Sequence, residues 1–195
     1  QEVSFSDIDG DGYPDRLKSD KDNSVNVATS QIRRTNLLKT VHRPLGATIT
    51  VDYARTGNTY EQPHNRWVMS RVAVNDGHPG DGVDVQVKTY HYADGFYHRQ
   101  ERDFYGYRLV VEEHRDHSQA DQLYRSITRV FHNDSYYNKG LLVTETTADA
   151  DGNKYLETEN TYFLRNIDTG NELVSLNHLT ATVFPELRRV DQRFY

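Results

Sequence analysis

Most of this chain alternates between apolar and polar residues with a period of two. In residues 47–53 (ATITVDY), branched and aromatic side chains occupy every second position, and threonine or aspartate fills most of the others. This spacing places the two kinds of side chain on opposite faces of a strand. Five further segments show a similar pattern and are predicted strands: residues 66–74, 83–92, 124–131, 141–147 and 155–164. Because no long segment has the period of an amphipathic helix, the sequence predicts an all-β fold made of long antiparallel hairpins.

Turn residues separate the predicted strands. Hairpin turns are predicted at residues 93–95 (ADG), at 75–77 (NDG) with 80–82 (GDG), and at 149–153 (DADGN). Asp-Gly pairs favour such turns because they tolerate positive φ angles. Within residues 83–92 the valines would share one face and the tyrosines the other, so we expect a β-bulge near Lys88 or Thr89.

The composition limits the partners and the chemistry open to this fold. The chain has 195 residues, 35% hydrophobic and 27% charged, with 14 tyrosines and 7 phenylalanines. That length suffices for one large or two small domains, and tyrosine-rich packing favours sheet over helix bundle. The net charge of −6 argues against nucleic acid or anionic lipid as a partner. The absence of cysteine excludes disulfides and thiolate metal sites.

The sequence contains no membrane-spanning pattern. No run reaches the roughly 18 apolar residues that a membrane helix needs. The first residues lack the pattern of a signal peptide, and Gln1 lies in what reads as a strand. We therefore expect no membrane insertion by this segment, and we interpret the chain as a piece of a longer protein.

An acidic loop near the start of the chain has the spacing of a Ca²⁺-binding loop. Counted from the first of them, the aspartates fall at positions 1, 3, 5 and 9 (Asp7, Asp9, Asp11 and Asp15), and Tyr13 offers its carbonyl at position 7. Oxygens at these offsets, with glycine at position 6, wrap around Ca²⁺. Position 12 is a lysine instead of the glutamate of an EF-hand, and the flanks read as strands. The sequence predicts a structural Ca²⁺ ion that staples two strands; the alternative is an acidic turn without metal.

Several segments resemble known families. Residues 5–15 (FSDIDGDGYPD) resemble the FG-GAP repeat of integrin-like β-propellers, although one copy cannot close a propeller. A second resemblance, to the middle region of insecticidal toxin complex B components and the related virulence-plasmid toxin family, covers residues 3–164 most clearly. It is carried by residues 36–60 (NLLKTVHRPLGATITVDYARTGNTY), 66–72 (RWVMSRV), 99–107 (RQERDFYGY), 131–137 (FHNDSYY) and 139–142 (KGLL). Residues 99–107 are also similar to Tyr-Asp (Rhs) repeats.

The toxin resemblance implies a structural role. In such complexes the B component is half of a hollow β-sheet shell that the C component closes around an unfolded toxic enzyme, and a propeller docks onto the pore-forming A component. By this resemblance, residues 1–35 would end a propeller-like segment and residues 36–195 would form a curved, Rhs-like shell wall. The expected partners are the C-type and A-type subunits and the rest of the parent chain. The expected location is outside the bacterium, with no enzymatic activity in this segment.

Two alternatives remain open from the residues alone. The aromatic residues are expected to pack neighbouring hairpins of a wall together, but they would equally suit the core of a compact β-sandwich: Tyr90, Tyr92, Phe96, Tyr97, Phe104, Tyr105 and Tyr107. The alternative function is a Ca²⁺-dependent adhesion or carbohydrate-binding module, in which the acidic loop presents a ligand or stiffens a binding face.

Catalytic patterns are weak in this sequence. His114 and His117 are three residues apart, whereas a zinc-protease helix spaces its histidines by four, so a solvated charged turn is the better interpretation. Two acidic pairs, Glu101 with Asp103 and the adjacent Glu112 with Glu113, could be imagined as a general acid and base. Glu101 and Asp103 could lie on one face of a strand, but charged outer faces do this routinely. No nucleophile elbow, phosphate-binding loop or dinucleotide fingerprint is present. We therefore expect no catalytic and no cofactor-binding residues.

Two single residues carry weaker functional hypotheses. Trp67, the only tryptophan, could stack on a ligand, but its apolar neighbours favour a core anchor. Asn133 begins a formal glycosylation sequon, which has meaning only in a eukaryotic secretory chain.

Overall fold

The computed structural model describes residues 2–10, 12–31, 36–78, 80, 85–173 and 182–195. Within these ranges the chain forms strands and a single 3-10 turn at His117–Gln119, which confirms the all-β prediction. The strands are β1 (Glu2–Ser6), β2 (Asp15–Lys21), β3 (Ser24–Ala28), β4 (Thr40–His42), β5 (Thr48–Arg55), β6 (Trp67–Asn75), β7 (Val85–His98), β8 (Asp103–Asp116), β9 (Gln122–Phe131), β10 (Leu142–Asp149), β11 (Lys154–Asn166) and β12 (Val183–Phe194).

These strands form two antiparallel sheets. The small sheet contains β1, β2 and β3, and the large sheet contains β4 to β12, each in chain order. Paired strands in both sheets are consecutive in the chain, so the large sheet is a meander of successive hairpins. The small sheet lies before the expected boundary between residues 35 and 36 and the large sheet after it; the assignment of two domains stays a prediction.

Over their described residues, the six segments first predicted as strands each match a strand of the large sheet, but three other strands of that sheet, β4, β8 and β12, were missed. β8 escaped because its apolar residues are consecutive at 109–111 and its glutamates consecutive at 112–113, so it lacks a period of two. β12 pairs with β11 from Asn166 opposite Val183 to Leu156 opposite Phe194. Residues 183–194 therefore belong to the large sheet.

Two expectations for β7 were wrong. No turn forms at residues 93–95, because β7 continues through them to His98 while Asp94 adopts a φ of 54° inside the strand. The chain reverses instead at residues 99–102. Pairing is regular at Lys88 and Thr89, and the irregularity lies between Phe96 and Tyr97. The valines and the tyrosines of β7 can lie on opposite faces without a bulge between them, because both faces of the sheet accept large side chains.

The predicted turn at residues 149–153 is confirmed. The Asp149 carboxylate accepts hydrogen bonds from the backbone of Asp151 (2.9 Å) and Asn153 (2.8 Å), which closes the β10–β11 hairpin. At the end of β6, the Asn75 side chain accepts from the Gly77 backbone at 2.7 Å. The predicted Gly-Asp-Gly continuation at residues 80–82 lies mostly outside the described residues.

The large sheet has no second layer packed on it in the described part of the chain. Its strands contact their neighbours within the sheet, and most of their residues are half-buried. Buried apolar residues are scattered among the described strands and comprise Val51, Val87, Tyr105, Ala148 and Val183. Buried polar residues are equally numerous among the described residues, in strands and in the connections between them: Asp15, Gln62, Glu112, His114 and Asn133. Polar contacts therefore supply much of the stability that an apolar core supplies in a compact β-sandwich.

The aromatic residues pack mainly within the β7–β8 hairpin, and Tyr97 of β7 also meets His64 of the β5–β6 connection with ring centroids 5.1 Å apart. Tyr92 of β7 meets Tyr107 of β8 with ring centroids 5.2 Å apart, and Phe96 of β7 meets Tyr105 of β8 at 5.8 Å. These are cross-strand pairs, which stabilise an antiparallel ladder locally.

Candidate functional site

The acidic loop between β1 and β2 brings several predicted ligands together. Carboxylate oxygens of Asp7, Asp9 and Asp15 lie within 4.8 Å of one another. Asp11 lies outside the described residues, and Tyr13 is half-buried in the same loop. A spacing of this size suits oxygen ligands around one Ca²⁺ ion at 2.3–2.6 Å.

Asp15 is the structural anchor of this loop. It is fully buried, and its two carboxylate oxygens accept hydrogen bonds from the backbone of Ile8 at 2.9 Å and Ser30 at 2.7 Å. These bonds, that from Ser30 first, lower the pKa of the Asp15 carboxyl. Asp7 accepts in the same way from the Gly12 backbone at 2.8 Å. The loop is thus preformed by its own carboxylates.

The acidic loop contacts the connection between β5 and β6. The Asn65 backbone donates to the Gly10 carbonyl at 3.1 Å, and the Arg55 guanidinium lies 4.0 Å from the Asp9 carboxylate. That connection is tied in turn to β7, since the Tyr97 backbone donates to the Glu61 carbonyl at 2.8 Å. The acidic loop therefore links the small sheet to the large one.

A charged network crosses the centre of the large sheet on one face. Glu112 of β8 accepts hydrogen bonds from Lys88 of β7 at 2.8 Å and from Arg129 of β9 at 2.9 Å. Arg129 also donates to Glu145 of β10 at 2.6 Å. His114 lies 2.9 Å from Glu112 and receives a bond of 2.9 Å from Arg125. Four adjacent strands are thereby joined by charge-assisted hydrogen bonds.

The network shifts the pKa values of its members. Burial alone would raise the pKa of Glu112, but the hydrogen bonds from Lys88 and Arg129 lower it to about 2. Burial, followed by the charges of Arg125 and Lys88, lowers the pKa of His114. Glu112 is therefore charged, and His114 neutral, at physiological pH.

Sequence reasoning missed this network. It treated Glu112 only as half of an adjacent acidic pair, and it predicted a solvated charged turn around His114 that is wrong, because His114 is buried in β8. The network forms because the pairing registers of β8 place Glu112 near cations on the strands at both sides. Pairing registers cannot be read from one sequence. His117 does lie at the exposed turn, with its ring 2.8 Å from Asp121.

The weaker catalytic candidates have structural partners. Glu101 accepts a hydrogen bond from the Tyr105 hydroxyl, whereas Asp103 pairs with Lys139 at 2.5 Å. The two carboxylates thus serve separate contacts at the β7–β8 turn. Their arrangement is that of ion pairs and side-chain hydrogen bonds.

The single-residue candidates also have structural surroundings. Trp67 is half-buried in β6, beside the Arg55 guanidinium at 5.4 Å, and lines an open cavity of about 380 Å³ with Val51 and Tyr53. It is less enclosed than a core anchor. The Asn133 side chain is buried and donates to the carbonyls of Asp94 (2.7 Å) and Gly106 (3.1 Å). It holds β7 and β8 together instead of presenting its amide to solvent.

No helix in the described ranges is long and apolar enough to cross a membrane.

One family model and several solved structures match this chain. The family model described as "Insecticide toxin TcdB middle/N-terminal region" matches residues 1–155. No curated protein matches the chain. Among solved structures, the crystal structure of TcdB2-TccC3-TEV is similar with a TM-score of 0.71 and 12% identity. TcdB2-TccC3-Cdc42 gives 0.68 and 14%, and the Photorhabdus luminescens Tc holotoxin pore gives 0.68 and 12%.

Each of these three alignments covers 100% of this chain and 12% of the other chain. The chain thus spans about an eighth of the length of the structures that it resembles.

Proposed function

Because this chain belongs to the insecticide toxin TcdB middle/N-terminal family, we propose that it is a non-enzymatic wall segment of the β-sheet shell that encloses a toxic cargo and helps to translocate it. The parent chain would be a B-type toxin-complex subunit, exported by its bacterium. Its partners would be a C-type subunit, which closes the shell, and a pore-forming A-type subunit.

The observation that carries this proposal is the single-layered large sheet. Its described strands alternate so that half-buried side chains lie on both faces, and charged networks take the place of a continuous apolar core. A sheet that must meet water or cargo on both sides requires such faces. A compact binding module would instead cover one face with a second layer.

The test measures accessibility of the two faces in a full-length B-type subunit carrying this segment. Thr146 and Thr147 are adjacent in β10, both half-exposed, and point to opposite faces. Single Thr146→Cys and Thr147→Cys variants, with any other cysteines of the subunit replaced, would be treated with a maleimide on a large polyethylene glycol chain. We expect binding of the C-type subunit to protect one position and leave the other reactive.

Each position is the control for the other, because both lie in the same strand at the same depth of the sheet. Unchanged labelling at both positions in a complex that has formed would contradict enclosure by this wall. The alternative binding module would instead show saturable attachment to glycans or cell surfaces that EDTA abolishes.

We propose further that the acidic loop holds a structural Ca²⁺ ion through Asp7, Asp9, Asp11, Asp15 and the carbonyl of Tyr13. Three of the carboxylates lie within 4.8 Å of one another, which supports this set. One short segment supplies all five oxygens and leaves few positions for other ligands, so the ion would staple β1 to β2 and do no chemistry. An FG-GAP-like origin of the loop fits the same spacing.

Removing one ligand should lower stability only when Ca²⁺ is present. For Asp9→Ala we expect a lower thermal midpoint than wild type in Ca²⁺ and nearly the same midpoint in EDTA, because the ion stabilises the folded state by binding it. Differential scanning calorimetry in both buffers measures this, and a calorimetric Ca²⁺ titration should show one-to-one binding that the variant loses.

Asp149→Ala is the matched control, since Asp149 is a structural carboxylate outside the proposed ligand set. Because Asp149 accepts backbone hydrogen bonds from Asp151 and Asn153, its replacement should lower stability equally in both buffers. If Asp9→Ala also lowered stability equally in both buffers, the loop would be a hydrogen-bonded acidic turn without metal.

A further inference from the structure

A small cavity lies where the regular pairing of β9 with β10 is interrupted. β9 ends at Phe131, and the chain returns to β10 through residues 132–141. The register of the two strands shifts between Leu142 and Thr144, which makes Val143 the extra residue of a bulge. The cavity beside this bulge has a volume of about 190 Å³, and its lining consists of residues 130–134, Arg108 and Val143.

The Asn133 side chain is held in a fixed orientation in the wall of this cavity. It is only 8% exposed, and its Nδ2 donates to the carbonyls of Asp94 at 2.7 Å and Gly106 at 3.1 Å. Because both partners are acceptors, the nitrogen of the amide must face them and the Oδ1 must face away. In the described part of the chain this oxygen accepts no hydrogen bond, and it is not fully enclosed by protein atoms. Asn133 can therefore offer a fixed acceptor to a molecule in the cavity.

Arg108 supplies a cation at the same cavity. Its side chain is exposed, and no hydrogen bond or ion pair to another described residue holds its guanidinium. In this respect it differs from Arg125 and Arg129 of the central network, whose guanidinium groups are bound by neighbouring strands. The N–H groups of an arginine form a planar fork that matches a carboxylate through two parallel hydrogen bonds. Arg108 is therefore suited to a carboxylate in the cavity.

The remaining lining residues add a negative charge and an apolar wall. The Asp134 side chain is 73% exposed, and its carboxylate lies 3.7 Å from the His132 ring. Val130, Phe131 and Val143 are half-buried and form the apolar part of the lining. The volume of the cavity is below the roughly 300–1,000 Å³ of pockets for drug-sized molecules, so only a small ligand fits.

We propose that this cavity binds a free α-amino acid with a small branched side chain, such as valine. The ligand carboxylate pairs with Arg108, and the ligand ammonium donates to the Asn133 Oδ1 and is attracted by Asp134. The ligand side chain contacts the apolar wall formed by Val130 and Val143. A zwitterion suits both charges of the site, whereas a plain carboxylate would leave Asn133 without a donor and would be repelled by Asp134.

The proposal is independent of the wall function and of the Ca²⁺ site. Its residues lie at the ends of β8, β9 and β10 and in the β9–β10 connection, outside the acidic loop. Failure of either earlier proposal would leave this one intact.

Calorimetric titrations with L-valine and three analogues test which groups of the ligand are recognised. We expect one-to-one binding of valine with a dissociation constant on the order of 1 mM, as is reasonable for so small a ligand. Valinamide lacks the carboxylate, 3-methylbutanoate lacks the ammonium, and N-acetylvaline has an enlarged and uncharged nitrogen group. Each analogue should bind about tenfold more weakly or worse, because it leaves one partner of the site unpaired.

Three results of these titrations would overturn the proposal. The first is the absence of saturable heat with valine. The second is equal binding of valine and 3-methylbutanoate, which would show a site for anions alone. The third is equal or tighter binding of N-acetylvaline, which would indicate the carboxyl end of a peptide as the ligand.

Arg108→Gln tests the partner of the carboxylate. Because the side chain is exposed, the fold should persist, and the dissociation constant for valine should rise about tenfold to a hundredfold. Arg43→Gln is the matched control, since Arg43 is an exposed arginine in the β4–β5 connection whose side chain bonds no other described residue. It should bind valine as the wild type does. Equal affinity of the two variants would contradict the role of Arg108.

Asp134→Asn tests the partner of the ammonium. Removing an exposed charge should weaken valine binding about twofold to fivefold. The same change should strengthen binding of 3-methylbutanoate, because it removes a repulsion. If the variant changed the affinity for both molecules in the same direction, Asp134 would not distinguish the ammonium and this part of the proposal would be wrong.

Discussion

Replacing Glu112 by glutamine should lower the free energy of unfolding by about 2 to 3 kcal/mol at pH 7. The Glu112 side chain is only 10% exposed, and both of its oxygens accept hydrogen bonds from cationic or aromatic donors. Glutamine has one acceptor oxygen, so its N–H₂ group would face either Arg129 or the pair Lys88 and His114. The change leaves donors unpaired and removes the charge that offsets theirs.

The expected loss is below that of a fully buried ion pair because the cations can regain water. Lys88 is 36% exposed and Arg129 is 28% exposed. Denaturant unfolding followed by tryptophan fluorescence, with Trp67 as the probe, would measure the change as a shift of the midpoint at constant slope.

Glu145→Gln is the control at the edge of the same network. Glu145 is 34% exposed and bonds Arg129, so its loss should cost less than about 1 kcal/mol. If both variants lost the same stability, the network would act through its overall charge and not through the buried position of Glu112.

The sequence predicted the fold class because the physical signal for a strand is local. Alternation in residues 47–53 reports one half-buried face directly, and the Asp-Gly turn at 149–153 reports its own backbone angles. The prediction missed β8 because this strand lacks such a local signal. A strand with neighbours on both sides and polar partners on both faces need not alternate, so residues 109–113 gave no local signal.

The acidic loop and the network around Glu112 differ in the same respect, because only the first is formed by residues close together in the sequence. The acidic loop could be predicted because its carboxylates lie within nine residues of one another, and three of them do converge. The network around Glu112 could not, because Lys88 and Arg129 lie 24 and 17 residues from it. Only the strand registers bring these side chains together. In a single-layered sheet, contacts that depend on the pairing of several strands therefore cannot be predicted from one sequence.

These buried polar contacts replace the apolar layer that such a sheet lacks. Asn133 and Glu112 each join elements that are distant in the sequence through hydrogen bonds, and both are buried. Because the contacts of ionisable groups such as Glu112 depend on protonation, a sheet stabilised in this way should respond to pH more strongly than one with a continuous apolar core. His114 is the group that makes this response measurable near neutrality.

Stability should fall as the pH is lowered from 7 to 5, and His114 should account for a distinct part of that fall. The Arg125 guanidinium can only donate, so the ring nitrogen facing it at 2.9 Å must be unprotonated. The other ring nitrogen then donates to Glu112 at 2.9 Å. The folded pKa of His114 is lowered from 6.5, so the unfolded chain binds the proton more readily. Its contribution is complete above pH 6.5 and is lost below it.

The size of this effect has an upper bound. One proton bound only by the unfolded state changes stability by at most about 1.4 kcal/mol per pH unit. Glu112 adds nothing in this window: its pKa falls from 4.5 to about 2 on folding, so its contribution is lost only as the pH falls below 4.5 toward 2. Unfolding free energies measured by denaturant at half-unit steps from pH 7.5 to 5 therefore report on His114 without a contribution from Glu112.

His114→Gln should be less stable than wild type at pH 7, because a glutamine cannot place its donor and acceptor as the ring does. The stability of this variant should also depend less steeply on pH between 7 and 5, since the glutamine side chain does not titrate. His42, exposed at the end of β4, provides the comparison: His42→Gln should keep the wild-type stability at pH 7, because an exposed side chain at the end of a strand has few contacts to lose. A His114→Gln curve parallel to wild type would show that the proton is taken up elsewhere in the sheet.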